Sequence, residues 1–217
     1  MQNYSKQQAV YIVIKYAKAY DKLLDNSYMF IYRMPKQNCI EKLEVVFFAR
    51  NYLHLTGLLY TGRGGAKEFY RKCIQQKLSP HEIAFKKDGT TPLKLQSINI
   101  FDDFFSKIKF VGDYNQSRIS IMCDKVAGNI YEGLGFVCDR SGNLVPETLL
   151  KEDARNLIRD NSQLIAVLEK KLNDTEFTYN KICRINERAI TVNLKLPDYI
   201  VEIISDNVVD KICFKHK

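Results

Sequence analysis

From Lys109 onward the chain is written in short strand-like runs punctuated by turn formers. Lys109–Val111, Ile119–Met122, Asn129–Cys138 and Leu144–Val145 are rich in apolar, aromatic or β-branched residues. The clusters Gly112-Asp113-Tyr114-Asn115 and Asp139-Arg140-Ser141-Gly142-Asn143 separate some of them. Runs this short, joined by turns this tight, pair with their sequence neighbours in antiparallel fashion, because a parallel pairing needs a crossover of about a dozen residues or more. A further strand is predicted over Leu164–Leu168, and strand-like alternation continues at Phe177–Ile185 and Ala189–Leu196. Leu150–Leu157 has the spacing of a short helix.

The first half is more mixed. Val10, Val13, Ile14, Ala17, Tyr20 and Leu24 recur mostly at three- and four-residue steps, so the first 25 residues are expected to form a packing helix that ends at Asp25-Asn26-Ser27. Tyr28–Tyr32 and Lys42–Phe48 flank the turn-like Met34-Pro35-Lys36-Gln37-Asn38 and predict a β-hairpin. In Tyr52–Gly57, alternation predicts an extended segment with Tyr52, His54 and Thr56 on one face and Leu53 and Leu55 on the other. The glycine cluster Gly62-Arg63-Gly64-Gly65 leads into an amphipathic helix marked by Ala66, Phe69, Tyr70, Cys73 and Ile74. Ser79-Pro80-His81-Glu82 is a capping box, and Thr91-Pro92 is a second helix start. The sum is an α+β fold with N-terminal helices packed on a mainly antiparallel, RNase-like sheet. Residues 1–172 are expected to form the domain, with residues 173–217 as a C-terminal extension of it.

Composition narrows the chemistry. The six cysteines include no Cys-x-x-Cys pair and are accompanied by three histidines, so neither a zinc cage nor any cofactor is expected. Cys73, Cys123 and Cys138 lie in apolar patterns that suit reduced thiols packing as small hydrophobes. No apolar run approaches the ~20 residues of a spanning helix, and no signal peptide is visible, so a cytoplasmic protein without a membrane partner is expected. The formal charge of +8 favours an acidic partner.

Seven short motifs occur in order: Asn51-Tyr52-Leu53-His54-Leu55-Thr56-Gly57, Ala66-Lys67-Glu68-Phe69-Tyr70, Lys86-Lys87-Asp88-Gly89-Thr90-Thr91, Val111-Gly112-Asp113-Tyr114-Asn115, Lys125-Val126-Ala127-Gly128-Asn129, Leu134-Gly135-Phe136 and Leu150-Lys151-Glu152-Asp153-Ala154-Arg155. Together, over roughly residues 25–172, they resemble the fourth, phage- and mobile-element-associated branch of the barnase, EndoU, colicin and RelE-like nucleases. The resemblance implies helices on an antiparallel sheet and metal-independent cleavage of RNA inside a bacterial host cell, the setting of a toxin or an anti-defence protein.

Such cleavage needs one group to take the 2′-hydroxyl proton, another to protonate the leaving oxygen, and cations for the charge growing on phosphate. Histidine is the side-chain type suited to proton transfer near neutral pH, which makes His54 a candidate, and Thr56 shares its predicted face. Tyr70 and Lys67 lie one helical turn apart after the glycine cluster, where an anion is favoured. The cluster lacks the Gly-Lys-Ser/Thr ending of a nucleotide-binding loop. Lys94, Lys151 and Arg155 supply further charge, the last two sharing a helix face by their four-residue spacing. The expected catalytic set is therefore His54, Thr56, Tyr70, Lys94, Lys151 and Arg155, with Lys67, Lys125 and Tyr114 binding nucleic acid. Each has a structural alternative: a half-buried histidine held by a carbonyl, or a solvated helix start in which Glu152 and Asp153 balance Lys151 and Arg155. His81 in its cap and His216 in the tail receive no role.

Two functional readings stay open. One is an endoribonuclease acting by general acid/base chemistry. The other is a non-catalytic binding protein on the same scaffold, for example an inhibitor of a host defence ribonucleoprotein; a virion component is a third possibility. The expected partners are RNA or a ribonucleoprotein and an inhibitory or target protein.

Overall fold

The computed structural model describes residues 3–116, 122–160, 162–173, 178–190 and 194–213. Helix α1 (Lys6–Asp21) starts at a reciprocal cap, in which Ser5 Oγ accepts from the Gln8 amide and Gln8 Oε1 accepts from the Ser5 amide. Its buried stripe of Ala9, Val10, Val13, Ala17 and Tyr20 follows the helical period. The helix ends four residues before Asp25, and the expected stop at Asp25-Asn26-Ser27 is instead the entry to strand β1 (Asn26–Met34). β1 and β2 (Cys39–Val46) form the expected hairpin in continuous antiparallel register from Ser27–Val46 to Met34–Cys39.

The next segment departs from expectation. Tyr52–Thr56 is a short helix, α2, with Tyr52, Leu55 and Thr56 buried at the i, i+3, i+4 spacing of one helical face. Gly57 ends it at φ 67°, a left-handed conformation that glycine adopts without steric cost. Then follow β3 (Leu58–Tyr60), α3 (Gly65–Ile74), a capped turn at Pro80–Glu82, β4 (Ile83–Phe85), α4 (Thr90–Ser97) and α5 (Phe104–Lys107). β3 and β4 pair with each other as a separate two-stranded ribbon.

The second half supplies β5 (Phe110–Asp113), β6 (Lys125–Gly128), β7 (Gly133–Cys138), β8 (Leu144–Leu150), α6 (Ala154–Leu157), β9 (Gln163–Lys171), β10 (Lys181–Ile185), α7 (Asp198–Val201) and α8 (Asp206–Cys213). Asn129–Cys138 is thus not one strand, because Asn129–Glu132 forms a turn. Of Ile119–Met122, residues 119–121 lie outside the described residues, and Met122 is exposed and outside any strand. Phe177 and residues 191–193 are also outside the description, as is His216. The remainder of Ala189–Leu196 is not strand.

Eight strands join in the order β1-β2-β8-β7-β6-β5-β9-β10, and β1 also pairs with β9, so the pairings from β1 round to β9 close on themselves. All links are antiparallel except β2–β8, a single parallel pair at Val45–Leu144. The main core lies between this sheet and the N-terminal helices. Tyr20 sits at its centre, with the Tyr52, Phe101, Phe47 and Tyr70 rings between 5.0 and 6.0 Å away. The phenols of this core are bonded: Tyr52 donates to the Val13 carbonyl at 2.7 Å and Tyr20 to that of Phe48 at 3.0 Å. Strands β1 and β9 are buried on both faces. Tyr28, Phe30 and Tyr32 point to the main core, and Met29 and Ile31 to a second core built with Ile165, Leu168, Tyr179, Ile200, Ile204 and Ile212. A small third cluster, Tyr114, Cys123, Val126, Ala154, Leu157 and Ile158, lies under α6. All six cysteines are free thiols; Cys73 and Cys123 are buried, whereas Cys138 is exposed and does not pack as a hydrophobe. No described helix is long and apolar enough to cross a membrane.

Candidate functional site

The β6–β7 turn builds the most distinctive chemical environment in the chain. Asn129 Oδ1 accepts from the backbone amides of Tyr131 at 2.8 Å and Glu132 at 3.3 Å, and the Asn129 amide donates to the Glu132 carbonyl at 2.9 Å. This side-chain-capped turn holds Tyr131 outward, 68% exposed, and turns Glu132 inward to 5% exposure. Gly128 makes the closure possible: a Cβ there would lie 2.3 Å from the Glu132 carbonyl oxygen and 2.8 Å from Gly133 Cα.

Glu132 lines an open cleft of about 600 Å³ together with Asn99, Lys107, Lys109, Tyr131 and Lys151. Burial raises its carboxyl above the usual range, while Lys151, Lys107 and a hydrogen bond with Asn129 pull the other way. The Lys151 ammonium is 3.9 Å from Glu132 Oε2. Lys107 is fixed by donating to the Asn99 carbonyl at 2.5 Å, and the buried Asn99 Oδ1 has no donor among the described residues. Phe110 forms part of the floor, with the Arg155 guanidinium 5.9 Å from its ring centroid. A carboxylate of raised proton affinity, ammonium groups on the adjoining wall and an exposed aromatic ring suit proton abstraction beside a bound anion.

The sequence-predicted residues are distributed over several places. Lys151 lies in the cleft and Arg155 at its edge, but they do not share a helix face: Lys151 follows β8, and α6 begins only at Ala154. Arg155 is engaged with Asp153, with Nη2 to Oδ2 at 2.6 Å. His54 is exposed on α2 and lines neither this cleft nor its neighbour. It meets Lys94 through its backbone, since Lys94 Nζ donates to the His54 carbonyl at 2.9 Å. Burial, then the nearby Lys86, push the Lys94 ammonium down to about 8. Lys94 also feels Glu147 on β8, and Lys151 lies four residues further along, about 13 Å at strand rise.

Four of the expected residues are buried or already bonded within the fold. Thr56 is buried, with its hydroxyl donating to the Leu53 carbonyl at 2.8 Å and accepting from the Leu58 amide at 3.1 Å. Tyr70 donates to Asp21 Oδ1 at 2.6 Å inside the aromatic core, and burial raises its phenol far above the usual range. Tyr114 is buried under α6, and Lys125 pairs with Asp113 across β5–β6. Lys67 is exposed on α3, on the first turn after the glycines. Among the described residues, no group of three or more His, Cys, Asp or Glu is placed to hold a metal ion.

Glu132 is the functional candidate that sequence reasoning missed. Its signal is the Gly128-Asn129 pair, a turn former between two short β runs, with an acid three residues after the asparagine.

An α+β fold of helices against a mostly antiparallel sheet, bearing a buried acid among cations, is compatible with a nuclease-like protein. The family model described as phage-Barnase-EndoU-ColicinE5/D-RelE like nuclease4 matches residues 12–187, from inside α1 to just beyond β10, and the chain belongs to that family. No curated protein and no solved structure gives a significant match.

Proposed function

We propose that this protein is a metal-independent endoribonuclease of a phage or other mobile element, with its chemistry in the Glu132 cleft. The observation that carries the reading is the raised Glu132 carboxyl beside Lys151 and Lys107 in an open, basic cleft. The Glu132 carboxylate accepts the proton of the ribose 2′-hydroxyl, the oxygen attacks the adjacent phosphorus, and the bond to the 5′-oxygen breaks as that oxygen takes a proton from solvent entering the open cleft. Lys151 and Lys107 stabilise the charge that grows on the phosphate, and Tyr131 stacks on a neighbouring base.

A second arrangement is supported by Lys94, whose lowered ammonium stands beside His54 at the α2–α4 corner. One experiment separates the two. Defined single-stranded RNAs are incubated in EDTA with wild type, Glu132→Gln and His54→Ala, and the products are examined for 2′,3′-cyclic phosphate ends. Loss of the base lowers kcat by about 10²–10⁴-fold, and that loss is expected for Glu132→Gln, with His54→Ala within a few-fold of wild type. The reverse pattern moves the chemistry to His54 and Lys94. Folded wild-type protein that cuts none of the RNAs overturns the nuclease reading in favour of a non-catalytic binder.

A further inference from the structure

Beside the Glu132 cleft lies a second, of about 710 Å³, that shares Lys109 and Phe110 with it. Its remaining walls are Gln163 at the start of β9 and the end of β10 with the turn beyond it, including Arg184, Glu187 and Arg188. Two of its three cations are fixed by the backbone. Arg184 Nη1 donates to the carbonyls of Phe105, Ser106 and Ile108, tying β10 to α5 and the residue that follows it. Lys109 Nζ donates to the Ser106 carbonyl at 2.8 Å. Arg188 is exposed and makes no ion pair among the described residues.

These cations repel one another. Burial, then Arg184 and Arg188, lower the Lys109 ammonium, while Asp103 is the carboxylate that opposes this. Among the lining residues Glu187 is the one carboxylate against Lys109, Arg184 and Arg188, so positive charge is in excess, a bound anion offsets it, and a guanidinium fork suits phosphate. Continuity with the Glu132 cleft, through the shared Phe110 floor and near exposed Tyr131, gives a track with cations for the backbone and rings for the bases. That combination fits a single strand, whose bases are free to stack.

We propose that the Lys109–Arg184–Arg188 cleft is a phosphate subsite for the strand flanking the scissile bond, so that single-stranded RNA lies along both clefts with Arg188 gripping a phosphate. The RNA assignment rests on the ribonuclease reading; the subsite itself rests on the cations and the cleft.

The test measures binding, which does not depend on cleavage. The fluorescence anisotropy of an uncleavable 2′-O-methyl octanucleotide and dinucleotide is followed across a salt series with wild type, Arg188→Ala, Arg188→Glu and the control Lys18→Glu on α1. Arg188→Ala is expected to weaken octanucleotide binding by roughly tenfold and to reduce the slope of log K against log salt by about 0.7, the loss of one phosphate contact on a single strand. Arg188→Glu weakens it further, the dinucleotide is affected less, and Lys18→Glu matches wild type. An octanucleotide affinity and salt slope unchanged in Arg188→Glu, no binding by wild type, or a preference for duplex overturns the proposal. Arg188-dependent binding by a wild type that cuts no RNA leaves the subsite standing and removes the ribonuclease reading. Cleavage with no Arg188 dependence of binding does the opposite.

Discussion

Glu132 shows why a candidate proton acceptor is hard to read until its backbone is known. Its carboxyl is unusual only because the turn buries it, and its neighbours Tyr131 and Gly133 give no hint of that. The cost of that burial is measurable. Since the folded protein holds the Glu132 proton more tightly than the unfolded chain, its contribution is most favourable below the ordinary value of 4.5 and declines as pH rises towards the raised folded value. Glu132→Gln is therefore expected to be more stable than wild type at pH 7, with the difference vanishing near pH 4, as read from urea midpoints at the two pH values. A purely structural role for the carboxylate gives the opposite sign at pH 7. The motif that drew attention to Lys151 places it in the cleft, whereas the Thr56 and Tyr70 hydroxyls are bonded inside the fold, which a sequence does not show.

At the scale of elements, periodicity read the long pieces well and the short ones poorly. Helix α1 and the β1–β2 hairpin carry enough repeats to fix their period. Tyr52–Thr56 has only five residues, and its apolar positions fit a two-residue period almost as well as a helical one; the Gly57 stop was the better guide. The turn inside Asn129–Cys138 was hidden because Ile130 and Tyr131 are strand-type residues, although both are exposed on the turn. Backbone crowding at Gly128 makes this turn testable. Gly128→Ala places a methyl against the Glu132 carbonyl and the Gly133 backbone, which cannot rotate away. Its expected cost is about 2–3 kcal/mol in chemical denaturation, with RNA cleavage reduced in the protein that remains folded. A loss below about 0.5 kcal/mol contradicts the close approach described here.

For the whole molecule, the C-terminal residues are the part least legible in advance. Their strand-like alternation is weak because the segment serves as a cover: Tyr179, α7 and α8 bury the second face of β1 and β9. Tyr179 ties the cover down, donating to Glu44 Oε2 at 2.7 Å and sharing a 2.8 Å hydrogen bond with Ser27. Tyr179→Phe is expected to cost about 1–3 kcal/mol, because the half-buried Glu44 carboxylate and the buried Ser27 hydroxyl both lose a hydrogen-bond partner. Deleting residues 174–217 strips Met29, Ile31, Ile165 and Leu168 of their cover, at roughly 1.5–3 kcal/mol for each fully re-exposed side chain. Loss of the cooperative thermal transition and binding of a hydrophobic dye are expected. A sharp transition in the truncated chain contradicts this account of β1 and β9 as doubly buried strands.

Proton transfer by the buried glutamate in the basic cleft is tested by the pH dependence of kcat/KM on a defined single-stranded RNA. A base must be ionised to act, so the rate is predicted to rise with pH along a limb lying above the ordinary glutamate value of 4.5 and to lose that limb in Glu132→Gln. A limb that persists in Glu132→Gln and disappears in His54→Ala contradicts it.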